Sequence, residues 1–339
     1  MSKNPLRALL KWEWLLVGLI IVTYLIFHGA MPDNYTIPKL LNQTRVYMVD
    51  VGFMALGMML ILVLGDIDIS VASIASLSCT IMGVSYAGGN GVTFPIALML
   101  AVLVGAVCGF INGMIVTRFK ELFPMIITLA TSTLFRGTAY IILKDQSSGS
   151  FPSWYTTSLG YGMLNVAGLE IPIMLICLLV VIPIFFVWIH KTASGRRIFA
   201  TGTNIVTSRY SGLTTDRIKV SMFVLNGIMA AIGGIFLTAR TGSVKYTMAT
   251  GYEMQAIAAA VLGGASTAGG KGSVIGLLLA LVLLTCLKNG LMLMYNDSFV
   301  LNLAIGVLLI AIVLLPNMSR MLQSYRQVQK RRADVVKVS

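Results

Sequence analysis

Between Ile69 and Thr117 the sequence carries not one Asp, Glu, Lys or Arg. A water-soluble fold of ordinary size cannot keep so long an uncharged stretch away from its surface. The shortage extends along the chain: 57% of its 339 residues are hydrophobic and 11% charged, where soluble domains hold about a quarter charged residues. The solvent for most of this chain is therefore lipid, and the expected fold class is an all-α integral membrane protein.

A helix needs about 20 apolar residues to cross the hydrocarbon layer. Ten candidate spans follow: Trp14–Met31, Val46–Leu64, Ile69–Tyr86, Phe94–Thr117, Leu122–Leu143, Ile171–Ile189, Val220–Ala239, Met254–Ala268, Gly272–Met294 and Ser298–Leu315. Gly88-Gly89-Asn90-Gly91 reads as the turn between the third and fourth. Pro183 predicts a kink in the sixth. The eighth is short and crosses only if tilted or broken. The first run lacks a small-residue cleavage site and reads as a retained helix, not a removed leader.

The cations set the expected orientation. With the N-terminus inside and ten crossings, 18 of the 25 Lys and Arg residues fall in inside segments. Outer loops hold only Lys39, Arg45, Lys144, Arg240 and Lys245. That bias predicts cytoplasmic termini. The chain divides into a cytoplasmic N-terminus (1–13), a transmembrane domain (14–316) with a basic inner loop at 191–219, and a basic cytoplasmic tail (317–339). The net charge of +13 does not point to nucleic acid, because it forms no basic helix face or patch interleaved with aromatics.

No catalytic constellation can be assembled, and the chain reads as a non-enzyme. His28 and His190 sit at opposite span ends. Cys79, Cys108, Cys177 and Cys286 all lie in apolar runs without CxxC spacing, so they read as packing residues and indicate no metal. Gly263 to Ser273 superficially resembles a phosphate loop, but Ala265 and Gly272 stand where the first Gly and the Ser/Thr are required. It reads as a tight cytoplasmic turn, with no nucleotide bound by this chain.

Several polar residues stand at or within apolar runs. Asp66, Asp68 and Ser70 interrupt the second and third spans; Asp66 reads as water-exposed, Asp68 as capping or structural. Arg136, Glu253 and Lys288 either line an aqueous cavity or hold the bundle together. For Arg136 the two readings balance; Lys288 reads as an interfacial cation. Gly105, Gly109 and Gly113 share one helix face and predict close packing within the protomer. The inner loop, with Gly195-Arg196-Arg197, Gly202, Asn204 and Ser211-Gly212, reads as a short amphipathic piece for a partner or for anionic lipid.

Taken together, these stretches resemble the permease subunits of bacterial carbohydrate ABC importers of the ribose, xylose and autoinducer-2 type. The resemblance covers roughly residues 45–316. Gly65-Asp66-Ile67-Asp68-Ile69-Ser70-Val71-Ala72-Ser73 is similar to that family's Gly-Gly-Ile-Asp-Leu-Ser-Val-Gly-Ser, with Asp66 and Ala72 replacing two glycines. Gly195 to Lys219 is similar to its cytoplasmic loop. Thr250 to Ser273, continued by Asn289-Gly290-Leu291, is similar to its third signature, and Thr128-Leu129 with Arg136-Gly137 adds a fourth. The resemblance implies a type II architecture, like that of the vitamin B12 importer, in the bacterial inner membrane. It implies a second permease copy or paralogue, ATPase subunits that carry the ATP and dock on 191–219, and an extracytoplasmic solute-binding protein. Ribose, xylose, rhamnose, inositol and autoinducer-2 all remain open as solutes. A self-sufficient secondary transporter or channel is the alternative; it would need an ionisable midplane residue, for which Glu253 and Asp50 lie too near the predicted outer ends. A non-transporting scaffold would tolerate Arg136→Ala.

Overall fold

A computed structural model describes residues 12–87, 92–166, 168–296, 300, 303–304, 306–307 and 310. The Gly88–Gly91 turn, most of the tenth expected span, the start of the N-terminal segment and the basic tail lie outside the described residues. Twelve α-helices make up the described part: α1 (Trp12–Ala30), α2 (Ile37–Thr44), α3 (Asp50–Val63), α4 (Val71–Ala87), α5 (Phe94–Arg118), α6 (Pro124–Leu143), α7 (Ile173–Lys191), α8 (Ala193–Thr203), α9 (Ile205–Tyr210), α10 (Thr215–Thr241), α11 (Tyr252–Leu262) and α12 (Val274–Tyr295). A small antiparallel hairpin, β1 (Met163–Val166) and β2 (Leu169–Pro172), precedes α7.

Six of these helices, α1, α5, α6, α7, α10 and α12, are long and apolar enough to cross a membrane. A seventh candidate span is bent by 44°, from α2 through a π-turn at Arg45–Val49 into α3. Two expected spans are shorter than the sequence suggested. Helix α4 has 17 residues, about 25 Å of rise at 1.5 Å per residue. Helix α11 has 11 residues, about 16 Å; the apolar pattern continues past it, but Gly264 at φ +94° turns the chain. The sixth span also starts late, because Leu169–Pro172 pairs as a strand. Pro183 lies inside a continuous α7.

Local chemistry fixes the ends. Pro occupies the first turn of α2, α5 and α6, where its missing N–H costs no hydrogen bond. Thr192, Asn204 and Ser273 cap α8, α9 and α12, each accepting from a backbone N–H of the first turn.

Every residue of α3 is buried, so this helix is the centre of the bundle. Helix α10 packs on both α3 and α5. On the α5 side the three glycines act as the sequence predicts: a methyl on Gly105 would strike the Gly227 carbonyl, one on Gly109 the Phe223 carbonyl, and one on Gly113 the Val220 backbone. The seam lies within the protomer. On the α3 side Phe53 stacks on Phe236 with centroids 4.9 Å apart, and Gly57 leaves room for Asn226. The outer faces of α1, α5, α6 and α7 expose Leu, Ile, Val and Phe, the surface a lipid environment demands.

Candidate functional site

Stretches distant in sequence converge at one end of the bundle. Helix α3 ends in a Schellman-type turn: Gly65 N–H donates to the Leu62 carbonyl (2.9 Å), Asp66 N–H to that of Ile61 (3.1 Å), and Gly65 has φ +82°. Helix α11 ends in the same way, through Gly264 N–H to Val261 (2.9 Å) and Ala265 N–H to Ala260 (3.0 Å). The first turn faces the segment that follows the second, with Gly65 against the Ala268–Gly269 backbone.

Helix α8 closes over this pair. Gly202 lies so near the Val63 carbonyl and the Gly270 nitrogen that a side chain there would collide with both. Gly270 N–H donates to that same Val63 carbonyl at 2.8 Å. A Cβ on Gly195 would strike the Ile189 carbonyl, so α8 folds tightly back on the end of α7. Ile198 and Thr201 face inward, whereas Arg196 and Arg197 are exposed. Asn204 ends α8 and caps α9 by accepting from Thr207 N–H (3.0 Å). Ser211 and Gly212 form the turn after α9, with Gly212 at φ +81°. On α9, Val206 and Tyr210, one turn apart, are 60% and 90% exposed.

Asp66 departs from expectation: it is buried, not water-exposed. Lys219, in the first turns of α10, lies 2.8 Å from its carboxylate. Burial pushes the Asp66 carboxyl above its usual range, and Lys219 pulls it back. A neighbouring exposed pair of contacts, Lys120 (2.9 Å) and Arg209 (3.0 Å) to Asp216, ties the α5–α6 connector and α9 to the start of α10.

Asp68 is fully buried without a salt-bridge partner among the described residues. It accepts from Ser70 N–H (2.8 Å), Ser70 Oγ–H (2.6 Å) and Asn226 Nδ2 (2.8 Å). Asn112 donates to Ser70 Oγ at 2.7 Å. The Asp-x-Ser motif thereby joins α4, α5 and α10 in one polar knot, and Thr128 of α6 holds the Ile69 N–H at 3.1 Å. Sequence reading missed Asn112 and Asn226. A lone Asn in an apolar span was the available signal, since an amide there requires partners.

The remaining polar residues occupy other places. Arg136 donates to the carbonyls of Tyr246 (2.9 Å) and Met248 (3.3 Å) and to Thr250 Oγ1 (3.1 Å), pinning the irregular 243–251 segment. Glu253 is half-buried at the start of α11. Arg240, placed by the sequence in an outer loop, instead lies in the last turn of α10 and pairs with the buried Asp50 at 2.7 Å. Lys288 and Asn289 lie on α12 at the end away from α8, with Lys288 Nζ 4.4 Å from the Tyr47 ring centroid.

A family model described as branched-chain amino acid transport system / permease component matches residues 40–315. The chain belongs to this permease family. Among curated relatives of this permease are the autoinducer 2 import system permease proteins LsrD of Escherichia coli K12, Escherichia coli O157:H7 and Shigella flexneri. Each is 32% identical over 338 residues, covering 97% of this permease and 99% of the relative. No solved structure matches the permease. It is a multi-pass membrane protein of the bacterial inner membrane.

Proposed function

We propose that this permease is the membrane-spanning subunit of an ATP-driven importer for a sugar-like solute of the autoinducer-2 and pentose size class. The observation that carries the reading is the convergence at one bundle end: α8 is seated by Gly202 on the Val63 carbonyl and the Gly270 nitrogen, and α8 and α9 together present Arg196, Arg197, Val206 and Tyr210 outward. A mobile helix would transmit little; one wedged against backbone on both sides moves the turns beneath it. An ATPase partner that binds this face differently in its open and closed states would bias the spans between two arrangements.

In this reading the assembly has type II architecture, ten spans including the short α4 and α11, and cytoplasmic termini. ATP resides on two partner ATPase subunits that dock on 191–219. A second permease, identical or paralogous, completes the channel, and an extracytoplasmic binding protein delivers solute. The relationship to the LsrD proteins, whose name states autoinducer 2 import, supports that solute class. Asp66, Asp68 and Ser70 lie beneath the docking face, where Asp66 and Asp68 tie it to α10.

The test is ATP-driven uptake of autoinducer-2 and D-ribose into vesicles holding the assembled importer. Arg196→Glu with Arg197→Glu should leave the permease in the membrane and abolish uptake. Undiminished uptake removes the docking role; uptake driven by an ion gradient without an ATPase makes the chain a secondary transporter.

A further inference from the structure

We propose that the bundle end opposite α8 carries a solute-recognition pocket, built by Asn42, Gln43, Tyr47, Lys288 and Asn289, for a small hydroxyl-rich molecule. The proposal rests on the importer reading above for its orientation, which places this end on the extracytoplasmic side.

The bend between α2 and α3 leaves a cavity of about 260 Å³ against α12, walled by Gln43, Tyr47, Thr285, Lys288, Asn289 and Met292. A second cavity of about 170 Å³ adjoins it, sharing Gln43, Asn289 and Leu293 and adding Asn34, Lys39 and Asn42. Together they reach the lower part of the roughly 300–1,000 Å³ range of small-molecule pockets.

Three polar groups of these walls are buried without a partner among the described residues: the Tyr47 hydroxyl, Asn289 Nδ2 and Asn42 Oδ1. Tyr47 itself is 2% exposed. Buried polar atoms in folded proteins almost always find hydrogen bonds, so three orphans in the walls of two adjoining cavities, with Asn289 shared by both, mark a place where a ligand supplies them. Their chemistry selects the ligand. Asn289 Nδ2 and the Lys288 ammonium only donate, Asn42 Oδ1 only accepts, and the Tyr47 hydroxyl does both. An anion would satisfy the donors and leave Asn42 unmet. An amine would clash with Lys288. A hydroxyl group both donates and accepts, so a polyol answers every member of the set. Met292 and Leu293 offer the apolar wall that the C–H face of such a molecule needs.

The pocket does not overlap the docking end. It lies near the Asp50–Arg240 pair, at the opposite ends of α3 and α10 from Asp66 and Lys219. A solute seated there would contact α2, the π-turn and α12, the elements that flank the central helices.

The test uses the assembled importer in right-side-out vesicles with Leu293→Cys, a 43% exposed wall position, labelled by a membrane-impermeant maleimide. Autoinducer-2 or D-ribose at millimolar concentration is expected to slow labelling at least threefold, and L-leucine not at all. Adding Asn289→Leu, or separately Gln43→Leu, is expected to abolish that protection while labelling itself persists. Uptake by the Leu293 parent is measured in parallel as a separate readout. Protection lost in either variant supports the pocket whether or not uptake depends on ATP. Equal labelling with and without both hydroxyl-rich probes overturns it even if ATP-driven uptake is intact. Equal protection by L-leucine overturns the hydroxyl specificity on which the assignment rests.

Discussion

Replacing Lys219 by Met should destabilise the permease in a manner that replacing Asp66 as well repairs. The ammonium lies 2.8 Å from a carboxylate that is 6% exposed, and the lysine side chain is itself 15% exposed. Removing one partner of a buried pair costs about 3–5 kcal/mol, because the survivor keeps its charge without solvent. Protonation sets a ceiling. A carboxyl with an ordinary pKa near 4 takes up a proton at pH 7 at a cost of about 1.4 kcal/mol per pH unit, or about 4 kcal/mol. We therefore expect Lys219→Met to lose about 2–4 kcal/mol at pH 7. At pH 5 the ceiling falls to about 1.5 kcal/mol, and the penalty should shrink with it. The sign follows from linkage: in the variant the folded state holds Asp66's proton at pH values where the unfolded chain has lost it, so stability rises as pH falls through that window. Asp66→Gly with Lys219→Met removes both charges and restores the glycine of the resembled motif; its cost should stay below about 1 kcal/mol, since removing a buried pair as a unit is often nearly neutral. Thermal unfolding of the purified complex, followed by a thiol-reactive dye on the buried Cys79 and Cys108, measures both. Equal losses in single and double variants, or a penalty unchanged between pH 7 and pH 5, would refute the argument.

Three further outcomes are expected. Gly109→Leu should force α5 away from the Phe223 carbonyl and lower stability by at least about 1–3 kcal/mol, seen as reduced yield of folded complex; wild-type yield would contradict the seam. Arg240→Met should strand Asp50, which is fully buried, at a cost of about 3–5 kcal/mol, and Asp50→Asn in the same chain should recover most of it in the same melting assay. Arg136→Gln keeps a donor for the Tyr246 and Met248 carbonyls whereas Arg136→Ala does not, so proteolysis between 243 and 251 should increase in the alanine variant alone.

The membrane character and most helices were legible because apolar runs of span length have few alternative fates. The glycine seam on α5 was legible for a similar reason: spacing by four puts Gly105, Gly109 and Gly113 on one face. What composition could not reveal was depth. Asp66 and Arg240 look like loop charges in sequence; Asp66 is buried and Arg240 half-buried, each met by a partner more than 150 residues away. Val63-Leu64-Gly65 and Val261-Leu262-Gly263 repeat in sequence, but that alignment is one residue out of register with the structure. The turns that correspond are centred on Gly65 and Gly264, since hydrogen bonding, not residue identity, defines the match. Asn112 and Asn226 were missed because an isolated amide gives no spacing pattern until its carboxylate partner is placed.

The two buried ion pairs bind the same two elements. Lys219 and Arg240 stand near opposite ends of α10, and Asp66 and Asp50 stand at opposite ends of α3. Lys219 and Arg240 are separated by about 30 Å of helix at 1.5 Å per residue. Between them the Phe53–Phe236 stack and the Gly57–Asn226 contact fill the seam. Sliding α10 along α3 would break both pairs at once, each at a cost of several kcal/mol, so the helices move as one body. Any change imposed by α8 on the Val63 carbonyl is therefore delivered to the Asp50–Arg240 end by rigid displacement, without a relay of side chains. Relative motion must occur where no buried charge spans the seam. The bend at Arg45–Val49 and the contact of α2 with α12 meet that condition, and they are the walls of the proposed pocket. Crosslinking α3 to α10 through Phe53→Cys and Phe236→Cys should then leave ATP-driven uptake intact, whereas a crosslink from Gln43→Cys to Asn289→Cys should arrest it.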